Sequence, residues 1–163
     1  MTTALIQTAD GNFTAHFSGN GLAGLDFPTA ATVSRMATNE LPSPWNSWLR
    51  LTERALKQAL VGKTPGQLPP LDLSSGTEFQ RCVWNALRKI PSGQTKSYAQ
   101  VAQSIGRPEA VRAVGQACGA NPIPVVIPCH RVLAAGGRLG GFSSGLDWKR
   151  KLLAREGAVP GSD

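Results

Sequence analysis

The stretch Asn121-Pro122-Ile123-Pro124-Val125-Val126-Ile127-Pro128-Cys129-His130-Arg131-Val132 limits what this chain can fold into more than any other. It is an apolar run fenced by three prolines that delivers one cysteine, then one histidine, at its exit. Each proline fixes φ near about −65°, removes a backbone donor and biases the preceding residue toward extended geometry. So apolar a run is predicted to be buried, with Cys129 held rigidly at the floor of a cavity. Free cysteine more often packs as a small hydrophobe. The chemical reading needs a base or cation nearby, because the thiolate is the nucleophile and burial raises a thiol pKa. His130 is the obvious base. Adjacent residues on an extended segment point to opposite sides, so either the backbone bends at Cys129-His130 or a water relays the proton.

Composition narrows the class. With 163 residues and 41% hydrophobic content, the chain can bury one solid core or two small ones. It has no apolar stretch of about 18 residues and no signal-peptide blocks at Met1-Thr2-Thr3-Ala4, so a cytoplasmic protein without membrane contact is expected. Three cysteines, Cys82, Cys118 and Cys129, point to reduced thiols rather than a disulfide framework. His16 and His130 are far apart in sequence, and no metal site or cofactor motif is expected. Seventeen Lys and Arg against ten Asp and Glu give a net charge of +7, which favours a polyanionic partner.

The first part of the chain reads as a small antiparallel sheet covered by a helix. From Leu5 to Phe27, Phe13, Ala15 and Phe17 alternate with polar residues between glycines. Ser43-Pro44 is the expected N-cap and first helical position, with Trp45, Trp48, Leu49, Leu56, Ala59 and Leu60 recurring at helical spacing up to Gly62. Between Val61 and Gly76 the composition turns to Pro, Gly and Ser. The junction between a sheet-and-helix unit, 1–76, and a second unit, 77–163, is placed there. Leu71 to Leu73 are expected to add a short strand to the first sheet.

The second unit opens with a capping box, Thr77-Glu78-Phe79-Gln80, and a helix face of Phe79, Cys82, Val83, Ala86, Leu87 and Ile90, with Cys82 expected in the core. A second capping box, Ser97-Tyr98-Ala99-Gln100, starts a short helix stopped by Gly106. Pro108 is expected to open a third helix. Its apolar face is Ala110, Val111, Val114, Ala117 and Cys118, and its opposite face is Arg112, Gly115, Gln116 and Gly119. Two short helices around a glycine-containing turn form a helix-turn-helix pattern, and a cationic, small-residue face can lie in a nucleic-acid groove. The same glycines can equally admit a neighbouring helix. The fold expected is α/β of the α+β kind, with a small N-terminal antiparallel sheet and helix and a mostly helical C-terminal unit containing the helix-turn-helix.

The run Gly136 to Gly145 is too glycine-rich for regular structure. After it, Leu146, Leu152 and Leu153 suggest a helix ending at Gly157, with Lys149-Arg150-Lys151 expected as a solvated face. Glu156 is out of place there, since a carboxylate at the negative end of a helix dipole is unfavourable unless a partner offsets it.

Pro128-Cys129-His130-Arg131-Val132 after Asn121-Pro122 resembles the signature of the O6-alkylguanine-DNA alkyltransferases, also called methylated-DNA-protein-cysteine methyltransferases. Ser97-Tyr98, Arg107-Pro108, Ala113-Val114-Gly115 and Leu153-Ala154-Arg155-Glu156-Gly157 are similar to the same family, and the resemblance runs from about Thr77 to Gly157. It implies that Cys129 is activated through a water by His130, which Glu156 orients, and that Asn121 braces the active turn. It further implies that Tyr98 presses on the phosphate and hydrogen-bonds the flipped base, while Arg112 enters the duplex in its place. Gly115, Gln116 and Gly119 then form the DNA-facing surface, and Pro124, Val132, Phe142 and Ser143 surround the base. Phe142 stands where the family often has tyrosine.

The expected activity is DNA repair by direct reversal: one irreversible transfer of an alkyl group from O6-alkylguanine, and by extension O4-alkylthymine, to Cys129. The expected partner is alkylated double-stranded DNA, with no membrane, no obligate protein partner and a monomeric state. The alternative is a non-enzymatic helix-turn-helix sensor with a reactive thiol. A Cys-His hydrolase has no use for the proline fence or the basic helix pair. A histidine bonded to a buried carboxylate is expected to have its pKa raised.

Overall fold

Residues 1–29 and 41–158 are described in the computed structural model of the chain. Strands β1 (Thr2–Thr8), β2 (Gly11–Phe17) and β3 (Leu22–Asp26) form one antiparallel sheet in that order. It begins three residues before Leu5, where the sequence pattern starts. Phe13, Ala15 and Phe17 of β2 share one side of the pleat and are fully buried. Leu71 adds a single parallel bridge to Leu22, flanked by bonds from Leu22 N to Pro70 O and from Asp72 N to Leu22 O.

Helix α1 (Trp45–Leu60) covers the sheet through Thr52, Ala55, Leu56, Ala59 and Leu60. Its start corrects the sequence reading: Pro44 is the cap position, Ser43 caps nothing, and the cap residue makes no side-chain hydrogen bond to the first turn. At its other end Gly62 has φ +82°, and a Cβ there would meet Arg155 O at 2.1 Å. Only a glycine lets these two chain segments touch.

Both capping boxes form. Thr77 caps α2 (Glu78–Leu87) with Gln80 returning the bond, and Ser97 caps α3 (Tyr98–Ser104) with Gln100 doing the same. In α2 the buried face is Val83, Trp84 and Leu87, and Cys82 is exposed, contrary to the core expectation. Trp84 turns the helix, since its ring is buried and its Nε1 donates to Ala117 O at 2.8 Å. Helix α4 (Val111–Gly119) starts three residues later than Pro108. Pro108 instead occupies the second position of a turn closed by Ala110 N to Arg107 O, a place its fixed φ suits. Val111 is exposed, whereas Val114, Ala117 and Cys118 are buried. Helices α2, α3 and α4 pack on one another.

A two-stranded parallel pair, β4 (Lys96–Ser97) with β5 (Val132–Leu133), sets the rest in place. β4 ends where Tyr98 begins and β5 begins where Arg131 ends, so this pair brings the start of α3 beside the Cys129–Arg131 turn. Helix α5 (Leu146–Arg155) closes the structure. The N-terminal sheet reaches the later part of the chain through Leu25 N to Pro122 O at 2.9 Å and a fork from Arg155 to both oxygens of Asp10 at 2.8 Å. One buried apolar cluster runs from Ile6 and Phe13 through Trp84 to Ile127 and Cys129. Among the described residues no helix is long and apolar enough to cross a membrane.

Candidate active site

The proline-fenced run folds into a tight turn held by Asn121. Its Nδ2 donates to Ile127 O at 2.8 Å and its Oδ1 accepts from Ile123 N at 3.0 Å, while Ile127 N bonds to Ile123 O. Inside this turn Val125 has φ +72°, a left-handed conformation that a β-branched residue adopts only under constraint, at a cost of about 1–3 kcal/mol. Cys129 N then bonds to Ile127 O, and Cys129–Arg131 form one 3-10 turn. The backbone therefore bends at the Cys-His junction. Cys129 is buried at 7% exposure.

Behind the cysteine lies a buried ionic cluster. His130, 1% exposed, places Nε2 2.8 Å from Glu156 Oε1. Arg131 grips the same carboxylate, with Nη2 2.8 Å from Oε1 and Nε 3.0 Å from Oε2, and its Nη1 donates to Ile90 O at 2.6 Å. Glu156 caps α5, so its unfavourable position at the helix end is offset by two partners. Burial alone would raise its carboxyl, but the hydrogen bonds from His130 and Arg131 outweigh that and hold its pKa down to about 2.

His130 departs from expectation, for its pKa is lowered. Burial penalises the imidazolium more than the Glu156 bond favours it, and the Arg131 and Lys149 charges push the same way as burial. Glu156 is already neutralised by Arg131. The ring is thus neutral near pH 7. Because Nε2 faces an ionised carboxylate, the proton is assigned there, leaving Nδ1 as the basic nitrogen. Nδ1 is buried and has no hydrogen-bond partner among the described residues.

Lys149, expected on a solvated face, is fully buried. Its ammonium donates to Val132 O at 2.7 Å, to Gly141 O at 3.1 Å and to Leu139 O, tying β5 to the glycine-rich loop. The signal was present: Leu146, Lys149, Leu152 and Leu153 lie at i, i+3, i+6 and i+7, on one helix face. Burial pushes the Cys129 thiol up, while the Asn121 hydrogen bond and the Lys149 charge pull it down. The net shift is upward, so the resting group is a thiol that needs a base.

Above Cys129 opens a pocket of about 830 Å³. Tyr98, Cys118, Phe142 and Ser143 line it with Cys129, and Val111, Arg112, Gly115, Gln116 and Gly119 of α4 form its rim. The second helix of the helix-turn-helix is therefore the mouth of the cysteine pocket. Gly140, at φ +70°, sits so close to Tyr98 that a Cβ would come 2.9 Å from its hydroxyl oxygen. Burial pushes the Tyr98 hydroxyl up, which keeps it a donor. Pro124 and Val132 are buried and do not line the pocket, and the Val132 carbonyl accepts from Lys149. Cys118, read from sequence as packing, lies in the pocket wall with its pKa pushed up to about 12, first by burial and then by Cys129.

Residues 78–158 match the family described as 6-O-methylguanine DNA methyltransferase, DNA binding domain. A methylated-DNA–protein-cysteine methyltransferase of Salmonella typhimurium is 55% identical over 106 residues, 63% of this chain and 62% of that protein. The crystal structure of Mycobacterium tuberculosis OGT in complex with DNA superposes with a TM-score of 0.74 at 39% identity, covering 94% of this chain and 91% of that one. The methylated-DNA–protein-cysteine methyltransferase of Methanosarcina acetivorans is 45% identical over 122 residues, 73% of this chain and 78% of its own length. With such relatives matched over most of their length, and a buried Cys129 facing the helix-turn-helix, this chain belongs to the methylated-DNA–protein-cysteine methyltransferase family.

Proposed function

We propose that this protein repairs O6-alkylguanine, and by extension O4-alkylthymine, in double-stranded DNA by moving the alkyl group onto Cys129, once per molecule. The observation that carries this is the buried thiol at the floor of a pocket whose rim is the second helix of a helix-turn-helix. A group on a stacked base cannot reach such a thiol, so the nucleotide has to rotate out of the duplex, at a cost of a few kcal/mol. Arg112, exposed on the rim, enters the space the base leaves, and Gly115, Gln116 and Gly119 let the helix backbone approach the groove. Tyr98 donates to the base. Phe142 and the Ser143 N–H border it, with Pro124 and Val132 supporting the wall from behind. The division of labour follows 1–76 and 77–163, the second unit holding DNA and chemistry. The protein acts as a cytoplasmic monomer.

The bookkeeping of the step is simple. His130 Nδ1 takes the Cys129 proton, directly or through one water, while Glu156 and Asn121 hold ring and turn. Sγ attacks the alkyl carbon, a C–S bond forms, the C–O6 bond breaks with its electrons going to the guanine, and the base gains a proton on a ring nitrogen. The thioether has no route back. Counting repaired guanines against protein tests this reading. Product is expected to level off at one per protein, and continued turnover would overturn it.

A further inference from the structure

Among the described residues, the loop that carries Phe142 and Ser143 is gripped only at its two ends. Lys149 holds Gly141 O at one side and α5 begins at the other. Between them, among the described residues, Phe142–Ser144 make no hydrogen bond to another element; Phe142 O accepts only from Gly145 N, inside the same turn. Its lateral support is aromatic. Phe27, just after β3 in the N-terminal sheet, meets the Phe142 ring edge-on with centroids 5.9 Å apart at 81°. Phe27 is itself buried and fixed from two sides, by Phe13 at 5.3 Å and Trp148 at 4.8 Å. Such aromatic pairs have preferred geometry beyond their buried area.

Space lies on both sides of this loop. One side is the cysteine pocket. On the other is a groove of about 400 Å³ lined by Thr14, Asp26, Phe27, Pro28, Ser144 and Trp148. Ser143 lines both. The loop is thus a thin partition, and Phe27 lines the groove while its ring meets that of Phe142.

We propose that Phe27 is a positioning residue that sets the width of the base pocket, so that the N-terminal sheet limits the size of the alkyl group accepted. The inference presupposes alkyl transfer to Cys129. Phe27 touches neither base nor thiol; it acts through Phe142. Removing the ring lets the partition shift toward the groove, widening the pocket for a large group while loosening its hold on a base that carries a small one. Misplacement by about 1 Å is enough to cost on the order of 10²-fold in rate.

The test uses the full chain and two duplexes that differ only in the lesion, O6-methylguanine or O6-benzylguanine, with single-turnover rates measured for each. Phe27→Ala is expected to raise the benzyl-to-methyl rate ratio by about tenfold or more, with Phe27→Leu showing a smaller rise and Phe27→Tyr restoring the native ratio. Phe13→Leu, which perturbs the same cluster but makes no ring contact with Phe142, is expected to lower thermal stability and to change the ratio less than Phe27→Leu does. Phe27→Ala combined with Phe142→Ala should match Phe142→Ala alone in ratio. An unchanged ratio in Phe27→Leu, or the same change in Phe13→Leu, would overturn the inference. If the native protein alkylates with neither duplex, the underlying reading fails instead.

Discussion

Glu156 reaches His130 with the same oxygen that accepts the Arg131 guanidinium: His130 Nε2 and Arg131 Nη2 each lie 2.8 Å from Oε1. One carboxylate therefore orients the imidazole and neutralises a buried cation. Burial, together with the Arg131 charge on the same carboxylate, keeps His130 from being driven toward its charged form. A base that stays neutral and presents Nδ1 is what a protonated, buried thiol requires.

Glu156→Gln keeps the shape and removes the charge. Arg131 is then buried without a counterion, and stability should fall by about 3 kcal/mol in a denaturant titration. The alkylation rate should fall about 10²-fold, in line with loss of general-base assistance. Combining it with His130→Ala should cost little more than His130→Ala alone, because the two act as one relay.

The pH dependence has a definite sign. Glu156, with its carboxyl held at about 2, stabilises the fold fully above its ordinary 4.5 and loses that contribution as pH falls toward 2, about 3 kcal/mol in all. His130, with its pKa lowered below 6.5, binds its proton more readily when unfolded, so stability also declines as pH falls below 6.5. Both groups make acid destabilising. Melting temperature should drop from about pH 6.5 downward. The alkylation rate should hold steady from pH 8 to 6.5 and decline only below that, and a decline starting above pH 7 would contradict a neutral His130.

Arg112→Ala removes the side chain on the pocket rim that, in the proposed mechanism, replaces the rotated base. Repair of a duplex should slow far more than reaction with free O6-benzylguanine, which needs no rotation. Duplex binding by the native chain should also weaken steeply with added salt, as phosphate contacts release counterions. Paired single-turnover assays on the two substrates check the first point.

Lys149→Met leaves the carbonyls of Val132, Leu139 and Gly141 without their shared donor. Each buried acceptor so exposed costs about 1–3 kcal/mol. Because Lys149 holds the loop rather than DNA, its loss should slow duplex and free-base reactions alike, in contrast to Arg112. Thermal melting together with both rate assays separates the two residues.

What the sequence made legible was local and periodic. Both capping boxes, the alternation in β2, the rigid delivery of Cys129 and the misplaced Glu156 all follow from spacing and elementary conformational rules. What escaped was decided by distant partners. Lys149 sits in a Lys-Arg-Lys run that looks solvated, and only three carbonyls, one of β5 and two of the glycine-rich loop, converging on one point make it a core residue. The periodic face Phe79, Cys82, Val83, Ala86 and Leu87 leaves out Trp84; one large ring anchored to Ala117 O rotates α2 and leaves Cys82 outside. Arg131 stands beside the histidine in sequence, yet its role depends on Glu156, 25 residues away. The placement of Tyr98 over Cys129 rests on a two-residue parallel pair too short to leave a pattern.

The central claim, that Cys129 is the acceptor because of its surroundings and not merely because it is a thiol, is tested most directly by intact and peptide mass spectrometry after incubation with duplex DNA carrying O6-methylguanine. Cys118 shares the pocket wall, and Cys82 is exposed, so both serve as internal controls. The account predicts one added methyl group per protein, found on the Cys129 peptide alone and absent in Cys129→Ser. Methyl on Cys118 or Cys82, or an unmodified protein in a reaction that yields repaired DNA, would contradict it.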